Sequence, residues 1–173
     1  MSSQRLDPDS VPHASGMPML GLGTWQNEDP DQCADSVATA LEMGYRHIDT
    51  AQAYGNEEAV GQGIAQADVG RDDVFLATKV WISNLSHDDV LETTEESLQK
   101  LDVDYVDLLY VHWPSGEYDP ADTIPAFNQL YDEGKIEHFG VSNFEPHHVE
   151  EAREHVEMPI FANQVECHPM LPQ

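Results

Sequence analysis

Basic residues are scarce in this 173-residue chain. Lysine and arginine together number 7 against 33 aspartates and glutamates, so the formal net charge at pH 7 is −26. Proteins bind the phosphates of nucleic acids and anionic lipids mainly through lysine and arginine. The composition therefore argues against nucleic acid, a membrane surface or an acidic protein as a partner.

Long apolar runs are absent as well. The chain has no stretch of 18 or more apolar residues, and no basic segment followed by an apolar core at its start. We therefore expect neither a transmembrane helix nor a secretory signal. We expect a cytoplasmic location.

Only two cysteines occur, Cys33 and Cys167, and they form no C-x-x-C pair. Both are predicted to be reduced thiols.

The acidic residues are not gathered into a tail. They alternate with apolar positions in helical segments such as EEAV, ETTEES and EEAREH, a pattern typical of a solvated surface on a folded core. Such a surface resembles those of halophilic proteins. In 1 M salt the screening length falls to about 3 Å and repulsion between these charges largely vanishes. We therefore expect folding to require concentrated salt.

The length indicates one domain, because 173 residues are too few for two full ones. Residues 1–16 are polar and rich in Pro, Ser and Asp, and are predicted to be a flexible acidic leader. Residues 17–173 are regular: short apolar runs alternate five times with segments of helical period, and a sixth strand follows. This alternation predicts an α/β fold with a parallel sheet.

Two α/β architectures fit that alternation, a doubly wound open sheet and a (β/α)8 barrel. All six predicted strands end in polar or aromatic side chains, which a barrel would gather at one mouth, whereas a doubly wound sheet needs them only at its switch point. The segment GLGTWQ also lacks the third glycine of a dinucleotide fingerprint. We favour the barrel. Its strand-end residues are Thr24, Trp25, Asp49, Lys79, Trp81, His112, Trp113, Ser142, Asn143, Gln164 and Glu166.

Lys79 is the most informative of these residues. It lies in FLATKVW, where its ammonium would be partly desolvated and would need an anion. Asp49 ends the preceding strand, and parallel neighbours are about 4.8 Å apart. The pair fits a structural tie between strands as well as an active site. Tyr54 favours the active site, because a nearby ammonium stabilises the phenolate and lets a tyrosine act as general acid towards a carbonyl.

At this point a family resemblance emerges. The chain resembles the aldo-keto reductases, NAD(P)H-dependent carbonyl reductases on a (β/α)8 barrel, and within them the small prokaryotic diketogluconate reductases. The resemblance runs in order from about Met17 to the last residue. It is carried by GLGTW (21–25), GYRHIDTAQAYGNE (44–57), TKVW (78–81), YVHWP (110–114), GVSNF (140–144) and NQVECHP (163–169).

The resemblance implies a role for each matched residue. In the catalytic set, Tyr54 donates the proton and Lys79 lowers the pKa of Tyr54. Asp49 pairs with Lys79, and His112 orients the carbonyl oxygen. Ser142, Asn143 and Gln164 hydrogen-bond the nicotinamide carboxamide of NADPH or NADH, and Thr24 and Asp49 also contact the cofactor. Trp25, Trp81 and Trp113, together with His112, line the pocket for a small carbonyl substrate.

The remaining polar pairs suggest no further site. His147–His148 and Cys167–His168 do not provide four ligands at a workable spacing, so no metal is expected. Glu57–Glu58 and Asp72–Asp73 are predicted to be solvated carboxylates rather than a glycosidase pair.

The chain is shorter than the family pattern, since a barrel of this type needs about 250 residues. We interpret it as truncated after about five βα units and a sixth strand. The loops that would choose NADPH over NADH lie beyond it, and its first and sixth strands would be unpaired edges that favour self-association, although full-length members are usually monomeric. Three hypotheses stay open: a carbonyl reductase, an inactive fragment, and a non-catalytic subunit that a partner completes.

Overall fold

A computed structural model describes residues 5–171. Six parallel strands, each paired only with its neighbours in the chain, form its main sheet. The strands are β1 (Leu22–Gly23), β2 (His47–Asp49), β3 (Phe75–Val80), β4 (Val106–Val111), β5 (Ile136–Ser142) and β6 (Ile160–Gln164). The helices between them are α1 (Pro30–Glu42), α2 (Glu57–Gln66), α3 (His87–Leu101), α4 (Pro120–Asp132) and α5 (Pro146–Arg153). The order is that of the first six strands and five helices of a (β/α)8 barrel, which confirms the predicted fold class.

Local sequence signals mark the helix ends. Asp29 accepts a hydrogen bond from the backbone N–H of Gln32 over 2.9 Å, and Ser86 caps α3 in the same way. Gly44 and Gly134 follow α1 and α4 with φ angles of 106° and 70°. A glycine tolerates this left-handed backbone without steric cost, so both helices can end there.

Two apolar cores lie on the two sides of the sheet. The larger one packs the helices against the outer face, with Leu41, Leu76, Leu98, Phe127 and Phe139 at most 4% exposed. The smaller one fills the inside of the curved sheet with Phe75, Ala77, Leu108 and Tyr110. Because both faces are covered, every residue of β3 is buried.

The pleat of the strands decides which polar residues enter the inside. Successive side chains of a strand point to opposite faces, so Lys79 shares the inner face with Phe75 and Ala77, two members of the inner core. The same alternation places His112 on the side of Leu108 and Tyr110. One end of the sheet therefore collects the strand-end residues on its inner face.

A short antiparallel hairpin lies at the opposite end of the inner core. It pairs residues 13–14 with 17–18, and its Met17 packs against the inner core. This hairpin crosses the predicted boundary after residue 16, and a one-turn 3-10 helix at Pro8–Ser10 precedes it. Residues 1–4 of the predicted leader lie outside the described residues. The division into a leader and a barrel stays a prediction.

Two further sequence expectations concern membranes and thiols. Between residues 5 and 171, no helix is long and apolar enough to span a bilayer. Both cysteines are free: Cys33 is buried, and burial raises the pKa of its thiol, whereas Cys167 is exposed.

Candidate active site

Lys79 is the centre of the candidate site. Its side chain is fully buried at the end of β3, and its Nζ donates a hydrogen bond to Asp49 Oδ1 over 2.5 Å. The backbone carbonyl of Thr50 accepts a second hydrogen bond over 2.8 Å. A buried ammonium is tolerated only when anionic and polar partners replace its water. The predicted Asp49–Lys79 ion pair is therefore present and well coordinated.

Tyr54 lies next to this ion pair. It ends a one-turn 3-10 helix, Gln52–Tyr54, that follows β2. Lys79 Nζ is 3.4 Å from the Tyr54 hydroxyl oxygen and 5.0 Å from the centre of the phenol ring. The hydroxyl oxygen therefore lies within reach of the ammonium. The geometry thus brings together the three residues needed for a lysine-supported tyrosine acid.

His112 completes the set from the end of β4. Its ring contacts Tyr54 edge-on at 5.8 Å between ring centres and Trp81 at 5.1 Å. Burial, reinforced by the nearby charge of Lys79, lowers the pKa of His112 to about 4. The imidazole is therefore uncharged at neutral pH. It can donate one hydrogen bond to a ligand through its single N–H while it carries no positive charge.

The residues expected to bind the nicotinamide lie at the ends of β5 and β6. Asn143 has a φ angle of 62°, and its Nδ2 donates to the carbonyl oxygen of His112 over 3.1 Å. Gln164 Nε2 donates to Asp49 Oδ2 over 2.9 Å. Ser142 is only 3% exposed, and its hydroxyl donates to the backbone carbonyl of Gln164. The side chains of Asn143 and Gln164 face the mouth, and Ser142 lies just beneath them.

The mouth is one end of a groove of about 1030 Å³, which extends along β1 to Met17 and Pro18 of the hairpin. All three tryptophans of the chain line it: Trp25 is 68% exposed, Trp113 is 46% exposed, and Trp81 is partly buried. Tyr54, His112, Asn143 and Gln164 line the same groove. The predicted pocket residues thus lie along the same groove as Tyr54.

Thr24 is the exception among the predicted site residues. Its side chain is 1% exposed, and its hydroxyl donates to Thr50 Oγ1 over 3.0 Å rather than facing the groove. Asn56 Nδ2 in turn donates to the backbone carbonyl of Thr24 over 2.9 Å. Thr24 lies in a buried network that joins the ends of β1 and β2.

The expectation that Glu57 is a solvated carboxylate is wrong. Glu57 is 3% exposed and accepts hydrogen bonds from Thr78 Oγ1 (2.7 Å) and Ser97 Oγ (3.2 Å). Its pKa is raised because burial disfavours the charged form. Glu58, the next residue, is exposed as predicted, and so are Asp72 and Asp73. The start of α2 turns the two neighbouring glutamates in different directions.

Gln52 is a contact residue that the sequence reasoning missed. It belongs to the turn that carries Tyr54, and its side chain makes hydrogen bonds to α3 and to the loop after β3. No composition or spacing signal marks it, because its partners lie 29 to 45 residues away.

The described part of the chain contains no group of three or more His, Cys, Asp or Glu that could hold a metal ion.

Comparison with known proteins points to one family. The model of the aldo/keto reductase family matches residues 19–173. A glyoxal reductase of Bacillus subtilis (strain 168) is 44% identical over 157 residues, which cover 91% of this chain and 56% of that protein. The chain thus spans little more than half the length of the curated relatives it matches.

Solved structures show the same similarity. One assigned as a 2,5-diketo-D-gluconic acid reductase B superposes with a TM-score of 0.87 at 44% identity, covering 91% of this chain and 56% of the other. The Bombyx mori aldo-keto reductase in complex with NADP superposes with a TM-score of 0.84 at 34% identity, covering 91% and 57%. Both similarities extend over nearly all of the fold described above.

Proposed function

The chain belongs to the aldo/keto reductase family, and from that premise we propose that it is the part of an NADPH-dependent carbonyl reductase that holds the proton-transfer residues. The observation that carries the proposal is the contact of the buried Lys79 ammonium with both Asp49 and the Tyr54 hydroxyl. An ion pair that only tied two strands together would not need a phenol in contact with its ammonium. Here that phenol lines an open groove.

Tyr54 is the proposed proton donor. As negative charge develops on a carbonyl oxygen in the groove, the Tyr54 hydroxyl gives its proton to that oxygen. The phenolate that results is stabilised by Lys79 Nζ, and Asp49 keeps the ammonium in place. Tyr54 is partly exposed, so water at the mouth can return the proton afterwards.

His112 is proposed to orient the substrate. With a pKa lowered to about 4, its neutral imidazole can donate one hydrogen bond to the carbonyl oxygen without competing with Tyr54 as an acid. Trp81 packs edge-on against it and limits its rotation. Trp25 and Trp113 supply apolar walls, which suit an aldehyde or ketone with an apolar or stacking group.

The mouth fits a nicotinamide carboxamide, which needs both hydrogen-bond donors and acceptors. In the described part of the chain, no hydrogen bond reaches Asn143 Oδ1 or Gln164 Oε1, so both acceptors are available. The two oxygens would accept from the amide N–H groups, and the second N–H of Gln164 Nε2 would donate to the amide oxygen. The Ser142 hydroxyl, which already donates to the Gln164 carbonyl, would support Gln164 from beneath. When bound, the reduced nicotinamide supplies the hydride. We propose NADPH because the Bombyx mori relative was solved with NADP.

The activity is tested by following NADPH oxidation at 340 nm in molar KCl after addition of a small reactive aldehyde such as glyoxal. We expect oxidation that depends on the protein and on the aldehyde. A folded protein that binds NADPH but turns over no aldehyde or ketone would support the non-catalytic hypotheses instead.

A further inference from the structure

Gln52 joins the turn that carries Tyr54 to two other parts of the barrel. Its Oε1 accepts a hydrogen bond from the backbone N–H of Trp81 over 3.0 Å and another from Asn84 Nδ2 over 3.1 Å. Its Nε2 donates to the Thr93 hydroxyl (3.1 Å) and the Thr93 backbone carbonyl (3.2 Å). One side chain thereby uses both ends of its amide to connect the turn, the loop after β3 and the helix α3.

A second anchor holds the other side of Tyr54. Gln52 Nε2 is also 3.3 Å from the hydroxyl oxygen of Ser97, and Ser97 donates to the buried carboxylate of Glu57 over 3.2 Å. Gln52 and Glu57 flank Tyr54 in the chain, and both converge on one serine of α3. Glu57 further accepts from Thr78, the residue before Lys79. The turn is therefore fixed to α3 and, through Glu57, to β3, the strand that carries the ammonium.

The anchoring of the turn matters because the contact between Lys79 and Tyr54 is long. The distance from Lys79 Nζ to the Tyr54 hydroxyl is 3.4 Å, near the upper limit for a hydrogen bond. A small outward movement of the turn would break that contact. The ammonium would not follow, because Asp49 and the Thr50 carbonyl hold it.

Gln52 acts on His112 as well. The hydrogen bond to the Trp81 N–H fixes the backbone that carries the indole, and the indole packs edge-on against the His112 ring at 5.1 Å. Movement of Trp81 would therefore release the imidazole that is proposed to aim the substrate.

We propose that Gln52 is a positioning residue for the reaction, which sets Tyr54 against Lys79 and Trp81 against His112 at the same time. This inference rests on the proposed function. It assigns Gln52 no contact with the reacting atoms, and it predicts that loss of its amide slows the chemical step more than it weakens ligand binding.

The test uses three variants of the full protein. Gln52→Met keeps the length of the side chain but removes all of its hydrogen bonds, whereas Gln52→Glu keeps the acceptor for Trp81 and loses the donor to Thr93. Gln99→Met is the matched control, because Gln99 is an exposed glutamine on α3. We expect Gln52→Met to lower the single-turnover rate of aldehyde reduction roughly tenfold, because a misplacement of about 1 Å can cost about 100-fold and the Glu57 anchor remains. Its Kd for NADPH should stay within twofold of the parent value. Gln52→Glu should recover part of the rate, and Gln99→Met should match the parent.

A second readout needs no turnover. The chain has only three tryptophans, so in a Trp25→Phe, Trp113→Phe background the emission comes from Trp81 alone. Gln52→Met should make this emission measurably more sensitive to acrylamide, and Gln52→Glu should leave it close to the parent. If Tyr54 were not the acid, this result would still hold, so failure of the proposed function is distinguishable. Parent-like quenching together with parent-like rate in Gln52→Met overturns the inference. A rate that falls only in proportion to the folded fraction overturns it too.

Discussion

The side-chain amide of Gln164 donates a hydrogen bond to Asp49 Oδ2 over 2.9 Å, although 115 residues separate the two in the chain. The bond spans the inside of the sheet from β6 to β2 and meets the carboxylate whose other oxygen holds Lys79. A residue proposed to bind the nicotinamide is thereby linked to the residue that pairs with the lysine.

Gln164→Glu should weaken NADPH binding roughly tenfold. The change removes the amide N–H proposed to contact the carboxamide and places a second carboxylate beside Asp49, and one lost hydrogen bond to a ligand is worth about 0.5–1.5 kcal/mol. The Kd for NADPH can be measured by titrating protein fluorescence in molar KCl. Gln66→Glu, on the exposed end of α2, adds the same charge away from the groove and should bind as the parent does. Equal affinities of the two variants would contradict the role of Gln164.

Removing the ammonium should destabilise the fold. Lys79→Met leaves the Asp49 carboxylate without its cationic partner, and breaking a buried pair in this way costs about 3–5 kcal/mol. Because Asp49 is 15% exposed, we expect the lower end of that range in urea unfolding experiments. Lys100→Met is the matched control, since Lys100 and Glu96 form an exposed pair at 3.7 Å that should be worth about 0.5 kcal/mol or less. Similar losses in both variants would show that Lys79 is not buried with its partner.

The free energy of unfolding should depend on the protonation of His112. The pKa of this histidine is lowered in the folded state from its usual 6.5 to about 4, so the unfolded chain binds the extra proton first as the pH falls. The associated stability is present above pH 6.5 and is lost progressively towards pH 4, by roughly 3 kcal/mol. His47 shares this direction. The contribution of His112 is therefore the difference between the parent and His112→Gln in denaturant unfolding across that range. An identical pH dependence of both proteins would contradict a buried neutral imidazole.

Salt should stabilise the protein strongly. With a net charge of −26, acidic side chains repel one another in dilute buffer, and molar salt shortens the screening length to about 3 Å. We expect the melting temperature to rise by ten degrees or more, on the order of a few kcal/mol, between 0.1 M and 2 M KCl. A melting temperature that stays flat over this range would refute the halophilic interpretation.

Much of the candidate site could be predicted because a short stretch of sequence is enough to locate a strand and its end. The end of each apolar run marks where a side chain meets the mouth, and the pleat then sets its face, which is why Asp49, Lys79 and His112 converge as expected. The direction of a side chain that lies beyond the end of a strand is harder to predict. Glu57 and Glu58 are identical neighbours, yet only Glu57 is buried, because α3 supplies Ser97 on one side of α2. The role of Gln52 depends in the same way on the lateral placement of α3, which no short-range pattern encodes.

The most direct test of the central claim is the turnover of Tyr54→Phe. This change removes only the hydroxyl that Lys79 contacts, whereas Tyr131→Phe removes the hydroxyl of a tyrosine that is 45% exposed on α4. With NADPH and a reactive aldehyde in molar KCl, we expect Tyr54→Phe to lower kcat at least 100-fold, as loss of a general acid does, while Tyr131→Phe keeps the parent rate. A Tyr54→Phe variant that reduces the aldehyde as fast as the parent would contradict proton donation by Tyr54.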